Sequence, residues 1–290
     1  MSYARKLSGG QRCRVLTHEI ATGTATVVHV DDAVLFEAPN WTVDGRLVLN
    51  GDGLLWTMPA DGSQPPRRVP LRGVPGLNND HVLAPGHESI FLSADGGHIY
   101  RAPLAGGDAE RVTSDDRMHF LHGVSPDAST LAYVGIENGR WDSGTLWTIP
   151  SDGGPSTPLT SGHGPDDGPE YTPDGQWIYF NTERFSTVPG HAQIARIRPD
   201  GSGMEQLTHD ERVNWFPHPA PAGDRFVYLS FPPGTEGHPA DLTVELRLVT
   251  GGDWSAPVTL AVLPGGQGTI NVNSWSPDGS RFAYVDYPLS

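Results

Sequence analysis

Three histidines and a glutamate occupy closely matching places in a pattern that repeats along the chain. His81, His122 and His218 each come three or four residues before a proline-containing turn, and Glu170 lies one step from the same place in another repeat. If these side chains converge, they can bind a divalent metal ion, and they suit Mn²⁺, Zn²⁺, Fe²⁺ or Ni²⁺ better than Ca²⁺. The alternative is that the histidines line a channel and hold water by hydrogen bonds.

Other ionisable residues near the same turns could take part in a reaction at such a site. Asp80 and Asp167 could orient the metal-bound imidazoles through hydrogen bonds. His119 lies three residues before His122, and a strand would point these two side chains to opposite faces. At most one of them therefore joins the metal site, and the repeat register favours His122. A histidine without a metal, such as His119, or Glu170 could take a proton from the substrate.

Arg184 and Trp215 each have two interpretations. The Arg184 guanidinium could hold a substrate carboxylate in a two-pronged contact, or it could form a salt bridge with Asp166 or Glu183. Trp215 with Phe216 could offer a platform to a sugar ring, or the two could pack between structural elements. Contacts to the substrate are expected from Glu37, Asn40, Asp80, Asp167, Trp215, Asn271 and Asn273.

The unit that must position these residues is a turn of the Pro-Asp-Gly type followed by a strand with large apolar residues at alternate positions. The unit occurs six times, at residues 43–49, 85–92, 126–134, 173–180, 221–229 and 277–285. A spacing of roughly 40 to 55 residues is that of a four-stranded propeller blade. Because one blade cannot bury both its faces alone, the repeat predicts an all-β fold, a six-bladed β-propeller that forms a single domain over residues 1–290.

The sixth repeat has too little chain after it to complete a blade. Strand patterns near the other end of the chain, at residues 13–16 and 24–28, flank a turn at residues 21–23. We expect these N-terminal strands to complete the C-terminal blade, because that pairing closes the ring and removes an exposed edge.

Composition restricts the partners and the location of the chain. A formal net charge of −15 opposes nucleic acid and polyanionic membrane surfaces. The chain has no apolar run that predicts membrane insertion, and residues 1–11 lack the apolar stretch of a secretion signal, so a cytoplasmic location is expected. The one cysteine, Cys13, is expected to be a buried strand residue. The remaining histidines, His163 and His238 among them, are expected in outer strands or loops.

The repeat resembles that of the TolB-type propellers, in which Ser or Thr, Pro, Asp and Gly precede an aromatic strand. This resemblance covers almost the whole chain. Residues 179–184, 214–219, 236–239 and 265–272 are more similar still to the stand-alone TolB-like proteins of the YidR type. The repeat also resembles that of the oligogalacturonate lyases, which implies a metal-dependent propeller enzyme with histidines that face its channel.

Two functions remain open at this point. The first is a metal-dependent enzyme that acts in the central channel on an oxygenated small molecule or a sugar acid. Its metal would acidify a C–H bond for β-elimination, or it would assist hydrolysis or isomerisation. The second is a non-catalytic TolB-like propeller that serves as a scaffold for a protein partner or a saccharide. A stoichiometric metal in the purified protein would favour the first function.

Overall fold

A computed structural model describes residues 4–162 and 164–289, so His163 lies outside the described residues. Within that part of the chain, the regular structure consists of strands and one short 3₁₀ helix. The strands form six antiparallel blades, which confirms the predicted all-β propeller. No helix in the described ranges has the length and the apolar character that crossing a membrane requires.

Each blade extends outward from the channel, strand by strand. Blades 1 to 3 contain, in that direction, Phe36–Trp41, Arg46–Gly51, Leu54–Pro59 and Arg67–Arg68; Leu77–Leu83, Ser89–Ala94, Ile99–Pro103 and Glu110–Arg111; and Met118–Val124, Thr130–Ile136, Thr145–Pro150 and Thr157–Pro158. Blades 4 and 5 contain Asp166–Tyr171, Ile178–Thr182, Gln193–Ile197 and Glu205–Gln206; and Val213–Pro219, Arg225–Phe231, Leu242–Thr250 and Val258–Gly265. Blade 6 contains Arg281–Asp286, Cys13–Glu19 and Thr24–Asp31. The remaining elements are the parallel pair Leu71–Arg72 and Gly107–Asp108 and the 3₁₀ helix Trp141–Ser143.

The ring closes as the sequence predicts. The strand Cys13–Glu19 pairs with Arg281–Asp286 on one side and with Thr24–Asp31 on the other. Across the first of these pairings, Nε and Nη2 of Arg14 donate hydrogen bonds of 2.8 and 2.5 Å to the two carboxylate oxygens of Asp286. The two ends of the chain therefore share one sheet, and an unpaired edge is avoided at the junction.

The turn motif forms a self-contained hydrogen-bonded unit. In four of the described repeats a Ser or Thr hydroxyl donates a hydrogen bond to the Asp two residues later; one is Thr42 with Asp44, and in the other three the distance is 2.6 Å. The same hydroxyl accepts an N–H from the start of the next strand, so it fixes both ends of the turn. The other three pairs are Ser125–Asp127, Thr172–Asp174 and Ser276–Asp278. The hydrogen bonds hold the pKa of Asp127 and Asp278 at about 2.

The apolar residues that follow these turns form the core between blades. Tyr133, Phe180 and Tyr228 come from the second strands of blades 3, 4 and 5, Phe282 comes from Arg281–Asp286 of blade 6, and all four are fully buried. Burial of each such side chain contributes about 1.5–3 kcal/mol to folding. This packing explains why the aromatic half of the repeat accompanies the turn.

Bulges in the inner strands decide which side chains face the channel. The pairing register of the inner strand shifts within each of blades 1 to 5. Asp80 and His122 lie within two of these shifts, whereas His81 and His218 pair with residues of the neighbouring strand. Because side-chain direction alternates along a strand, a bulge turns a residue to the face that it would otherwise avoid.

Candidate functional site

The channel contains two cavities that meet at His122, the one residue that lines both. We name the first, of about 280 Å³, the acidic cavity, and the second, of about 370 Å³, the tryptophan cavity. The acidic cavity is lined by Asp80, His122, Asp167, His238, Gln267 and Asn271, with Phe120, Trp141 and Phe216. The tryptophan cavity is lined by Asn40, Trp41, His122, Glu170, Tyr171, Asn273 and Trp275.

The imidazole of His122 lies between two carboxylates in the acidic cavity. Its Nε2 is 3.1 Å from Oδ1 of Asp167 and 3.7 Å from Oδ1 of Asp80. Its Nδ1 is 3.3 Å from the carbonyl oxygen of Asn271, which can only accept a hydrogen bond. Burial by itself would lower the pKa of His122, but the two carboxylates outweigh it and raise the pKa to about 9. The ring is therefore a buried cation at neutral pH.

The two carboxylates differ in their protonation behaviour. Burial raises the pKa of Asp80 to about 6, although the charge of His122 opposes the increase. Burial also acts on Asp167, but the nearby imidazoles of His122 and His238 outweigh it and hold the pKa of Asp167 below its usual range. Asp167 is therefore the permanent counter-ion of His122, while Asp80 can gain or lose a proton near neutral pH.

His238 completes this cluster, contrary to the expectation that it would lie in an outer strand or loop without a part in the channel. It belongs to the loop of residues 232–241, and its Nε2 is 3.7 Å from Oδ2 of Asp167. Its ring packs against Trp215 and Phe216, with centroid distances of 4.3 and 5.3 Å. The loop joins two strands of blade 5 and reaches over the channel, where the repeat pattern gives no information about position.

The backbone beside His122 is strained. Phe216 has a φ of 53°, a left-handed value that bulky residues rarely adopt. Its N–H donates a 3.2 Å hydrogen bond to Oδ1 of Asn181, which holds this conformation. As a result the phenyl ring stacks on His122, with the ring centroids 5.6 Å apart. Strain of this kind is characteristic of binding and catalytic sites.

Arg5 lies at the rim of the acidic cavity and is held there by Glu37. Nη1 of Arg5 lies 3.0 Å from Oε1 of Glu37 and also donates to the carbonyl oxygen of Gln267. Glu37 accepts a further hydrogen bond of 3.1 Å from the amide of Asn79. Burial raises the pKa of Glu37 even beside the guanidinium. Glu37 therefore lies behind Arg5 and does not line the cavity, although the sequence suggests a direct substrate contact.

The other predicted residues around Glu170 belong to the tryptophan cavity. Oε2 of Glu170 is 2.6 Å from Nδ1 of His218, and Oε1 accepts a hydrogen bond from Asn273. Nε2 of His218 donates to the carbonyl oxygen of Ile270. Asn40 donates a 2.8 Å hydrogen bond to the carbonyl oxygen of Asn273. Asn40, Glu170 and Asn273 thus lie together, on the other side of His122 from Asp80 and Asp167.

The residues proposed as metal ligands do not fit a metal ion in this arrangement. His81 is buried in the wall near the backbone of Ala38 and Val48, and burial lowers its pKa to about 4. Both ring nitrogens of His218 already face protein oxygens, and His122 faces the opposite carboxylates. Among residues 4–162 and 164–289, no three His, Cys, Asp or Glu side chains form a group that could hold a metal ion.

Three further predicted site residues lie away from both cavities. His119 has its Nδ1 2.6 Å from the carbonyl oxygen of Gly97 and its Nε2 3.0 Å from Asp115. Arg184 binds the two carboxylate oxygens of Asp166 at 2.7 and 2.5 Å, which is the salt-bridge alternative rather than the substrate clamp. Trp215 is buried behind Phe216 and His238, so it packs within the protein and offers no platform to a ligand.

Comparison with known proteins places the chain in a family. No family model matches the sequence. An uncharacterized protein from Agrobacterium fabrum is 41% identical over 259 residues, which are 87% of this chain and 85% of the relative. The solved structure of a provisionally assigned TolB from Agrobacterium tumefaciens is 38% identical and has a TM-score of 0.89, with 97% of this chain and 99% of that chain covered.

A more distant likeness concerns the fold alone. The structure of an oligogalacturonate lyase in complex with manganese is 16% identical and has a TM-score of 0.60, with 97% of this chain and 78% of the lyase chain covered. The manganese belongs to that protein, and the donor groups of this chain do not assemble a comparable centre in the described ranges. The ring of six blades, its closure and the close relatives together assign the family. The chain belongs to the TolB-like β-propeller family.

Proposed function

We propose that this protein binds a small, neutral, hydroxylated molecule such as a monosaccharide in the acidic cavity, and that Asp80 and His122 move protons on it. The proposal depends on one observation, the single imidazole between two carboxylates of unlike pKa. Titratable neighbours whose pKa values are driven apart are the usual signature of an acid and base pair.

The lining of the cavity favours a neutral ligand over the sugar acid considered from the sequence. Two carboxylates, those of Asp80 and Asp167, face the space. The Arg5 guanidinium at the rim is already held by Glu37 and by the Gln267 carbonyl. A ligand carboxylate would therefore meet like charges without a free cation to offset them.

Aromatic and amide groups supply the remaining contacts. Phe120, Trp141 and Phe216 offer apolar faces, on which the C–H face of a sugar ring can pack. The amides of Gln267 and Asn271 line the cavity and add polar groups for the hydroxyls of a sugar. A volume of about 280 Å³ is at the small end of ligand pockets and suits one ring.

The chemistry open to this cluster is an enolisation, as in sugar isomerisation. Ionised Asp80 removes a proton from the carbon beside the substrate carbonyl. His122 donates its Nε2 proton to the carbonyl oxygen, which leaves an enediol, a neutral imidazole and a protonated Asp80. Protonated Asp80 then gives its proton to the former carbonyl carbon, while neutral His122 takes the proton from the hydroxyl on the adjacent carbon, which becomes the new carbonyl; this completes the isomerisation and restores both side chains. Asp167 stabilises the imidazolium form that starts and ends the cycle.

Deuterium exchange tests this proposal directly. The native protein is incubated in D₂O with a panel of neutral aldoses and ketoses and with matching uronates, and C–H deuterium incorporation is followed by NMR and mass spectrometry. We expect binding of a neutral sugar in preference to its uronate, and incorporation at the carbon beside the carbonyl. His122→Gln and Asp80→Asn should lose about 100-fold or more in exchange rate. The exposed-site variant Asp152→Asn should match the native protein.

Each of the other possible results would overturn a part of the proposal or the whole of it. Binding of a neutral sugar without deuterium incorporation would overturn the catalytic part and support the non-catalytic carbohydrate-binding propeller. Preference for the uronate would overturn the charge argument about Asp80 and Asp167. Absence of binding for every neutral sugar at millimolar concentration would overturn the proposal as a whole.

A further inference from the structure

The tryptophan cavity is a second, separate space at the other side of His122. Its walls include the rings of Trp41, Tyr171 and Trp275. The carboxylate of Glu170 also lines it, with a side chain that is 11% exposed. An aromatic cavity of about 370 Å³ that contains a carboxylate has the composition of a site for an organic cation.

The hydrogen bonds of the lining residues show which polar groups of this cavity lack a partner. Asn273 donates its two amide N–H groups to Glu170 and to the carbonyl oxygen of Pro219, and Asn40 donates one N–H to the carbonyl oxygen of Asn273. In contrast, Oδ1 of Asn40 has no hydrogen-bond partner among the described residues, although Asn40 is only 3% exposed. Each carboxylate oxygen of Glu170 keeps a second lone pair. The acceptor that a ligand N–H donor can reach is therefore the carboxylate of Glu170.

Two aromatic walls of the cavity already bind cations. The indole rings of Trp41 and Trp275 already attract guanidinium groups, with Arg281 and Arg225 at 5.1 and 5.6 Å from the ring centroids. The cationic ring of His122 directs its two nitrogens to Asn271 and to the carboxylates of the acidic cavity.

The remaining titratable neighbours add no free positive charge to the cavity. The pKa of His87 is lowered by burial, and its Nδ1 accepts the N–H of Val43, so the ring is neutral at pH 7. His218 is held between Glu170 and a backbone carbonyl oxygen. The whole chain carries a formal net charge of −15, which attracts cations.

We propose that the tryptophan cavity binds a small organic cation through a primary ammonium or guanidinium group. The N–H donors contact Glu170, and the alkyl part packs between Trp41 and Trp275. This site does not depend on the sugar chemistry proposed for the acidic cavity, because the two sites share no residue apart from His122.

Titration calorimetry of the full chain with n-butylammonium, and with 1-butanol as the neutral matched probe, tests the proposal. We expect the cation to bind and the alcohol to bind at least about tenfold more weakly, since a charge-assisted hydrogen bond is lost. Glu170→Gln should weaken cation binding by about tenfold or more. Asp80→Asn should leave it within about twofold, because Asp80 lines only the acidic cavity.

A second measurement needs no variant and so remains valid if Glu170→Gln disturbs the contact with His218. In the native protein, the indole N–H resonances of Trp41 and Trp275 should shift as n-butylammonium is added, and they should not shift with 1-butanol. Cation binding that is lost in Asp80→Asn but kept in Glu170→Gln would overturn the proposal, as would equal binding of the alcohol. Unchanged indole resonances at saturating cation would overturn it as well.

Discussion

Nε2 of His122 lies 3.1 Å from Oδ1 of Asp167, across the boundary between blades 3 and 4. Each residue comes from an inner strand, and His122 reaches the channel because it occupies a bulge. The contact places a buried cation at the point where the two cavities meet. The ring of His122 therefore separates the two proposed sites, while its nitrogens serve the acidic cavity.

Replacement of Asp167 should lower the pKa of His122. In Asp167→Asn the imidazolium loses its nearest carboxylate, so the pKa should fall from about 9 toward or below its ordinary value of 6.5. NMR titration of the imidazole resonances measures this change, with His122→Gln for assignment and Asp152→Asn as the exposed control. An unchanged midpoint near 9 would contradict the role assigned to Asp167.

The same contact predicts a pH dependence of stability. The pKa of His122 is higher in the folded chain than in the unfolded chain. Its contribution to the free energy of unfolding is therefore complete below pH 6.5 and is lost as the pH rises through about 9. We expect the unfolding midpoint in denaturant to decline over this range in the native protein and to decline much less in His122→Gln. Parallel curves for the two proteins would rule out the linkage.

The fold is predictable from the sequence because its determinants are local and repeated. The hydroxyl of Ser125 or Ser276 and the Asp two residues later make the turn by themselves, and the apolar residues that follow make the core. The closure of the ring can also be predicted, because the strand that ends at Asp286 needs a partner strand and Cys13–Glu19 needs a sheet to join.

The site is predictable only in part, because the repeat does not specify which face a residue takes. His81 and His122 occupy matching places in the alignment, yet a bulge directs His122 into the channel and strand pairing leaves His81 in the wall. Arg5, His238 and Gln267 lie outside the repeated unit, and no periodic pattern predicts their position. The repeat register therefore predicts a metal centre with three histidines, but the local backbone geometry does not support it.

The rim contact between Arg5 and Glu37 should contribute to stability in a pH-dependent way. Arg5→Ala leaves the buried Glu37 carboxylate without its cation, at a cost of about 1–3 kcal/mol at pH 7. The pKa of Glu37 is already raised in the folded chain, so the folded state binds a proton more tightly than the unfolded state. The stability of Arg5→Ala should therefore fall more steeply from pH 5 to pH 7 than that of the native protein. Denaturant unfolding at both pH values checks this, and a cost independent of pH would contradict it.

Close packing of blades 3 and 4 beside His122 should make Gly123 intolerant of any side chain. A Cβ at this position would lie 2.5 Å from the backbone carbonyl oxygen of Pro169, so Gly123→Ala must push the two inner strands apart. We expect a loss of about 1–3 kcal/mol in the free energy of unfolding. Gly9→Ala is the matched control, because a Cβ there meets no atom of the described residues within 4 Å, and it should change stability by less than about 0.5 kcal/mol. Equal unfolding midpoints for the two variants would show that the blades can separate freely at this point, contrary to the geometry of the channel.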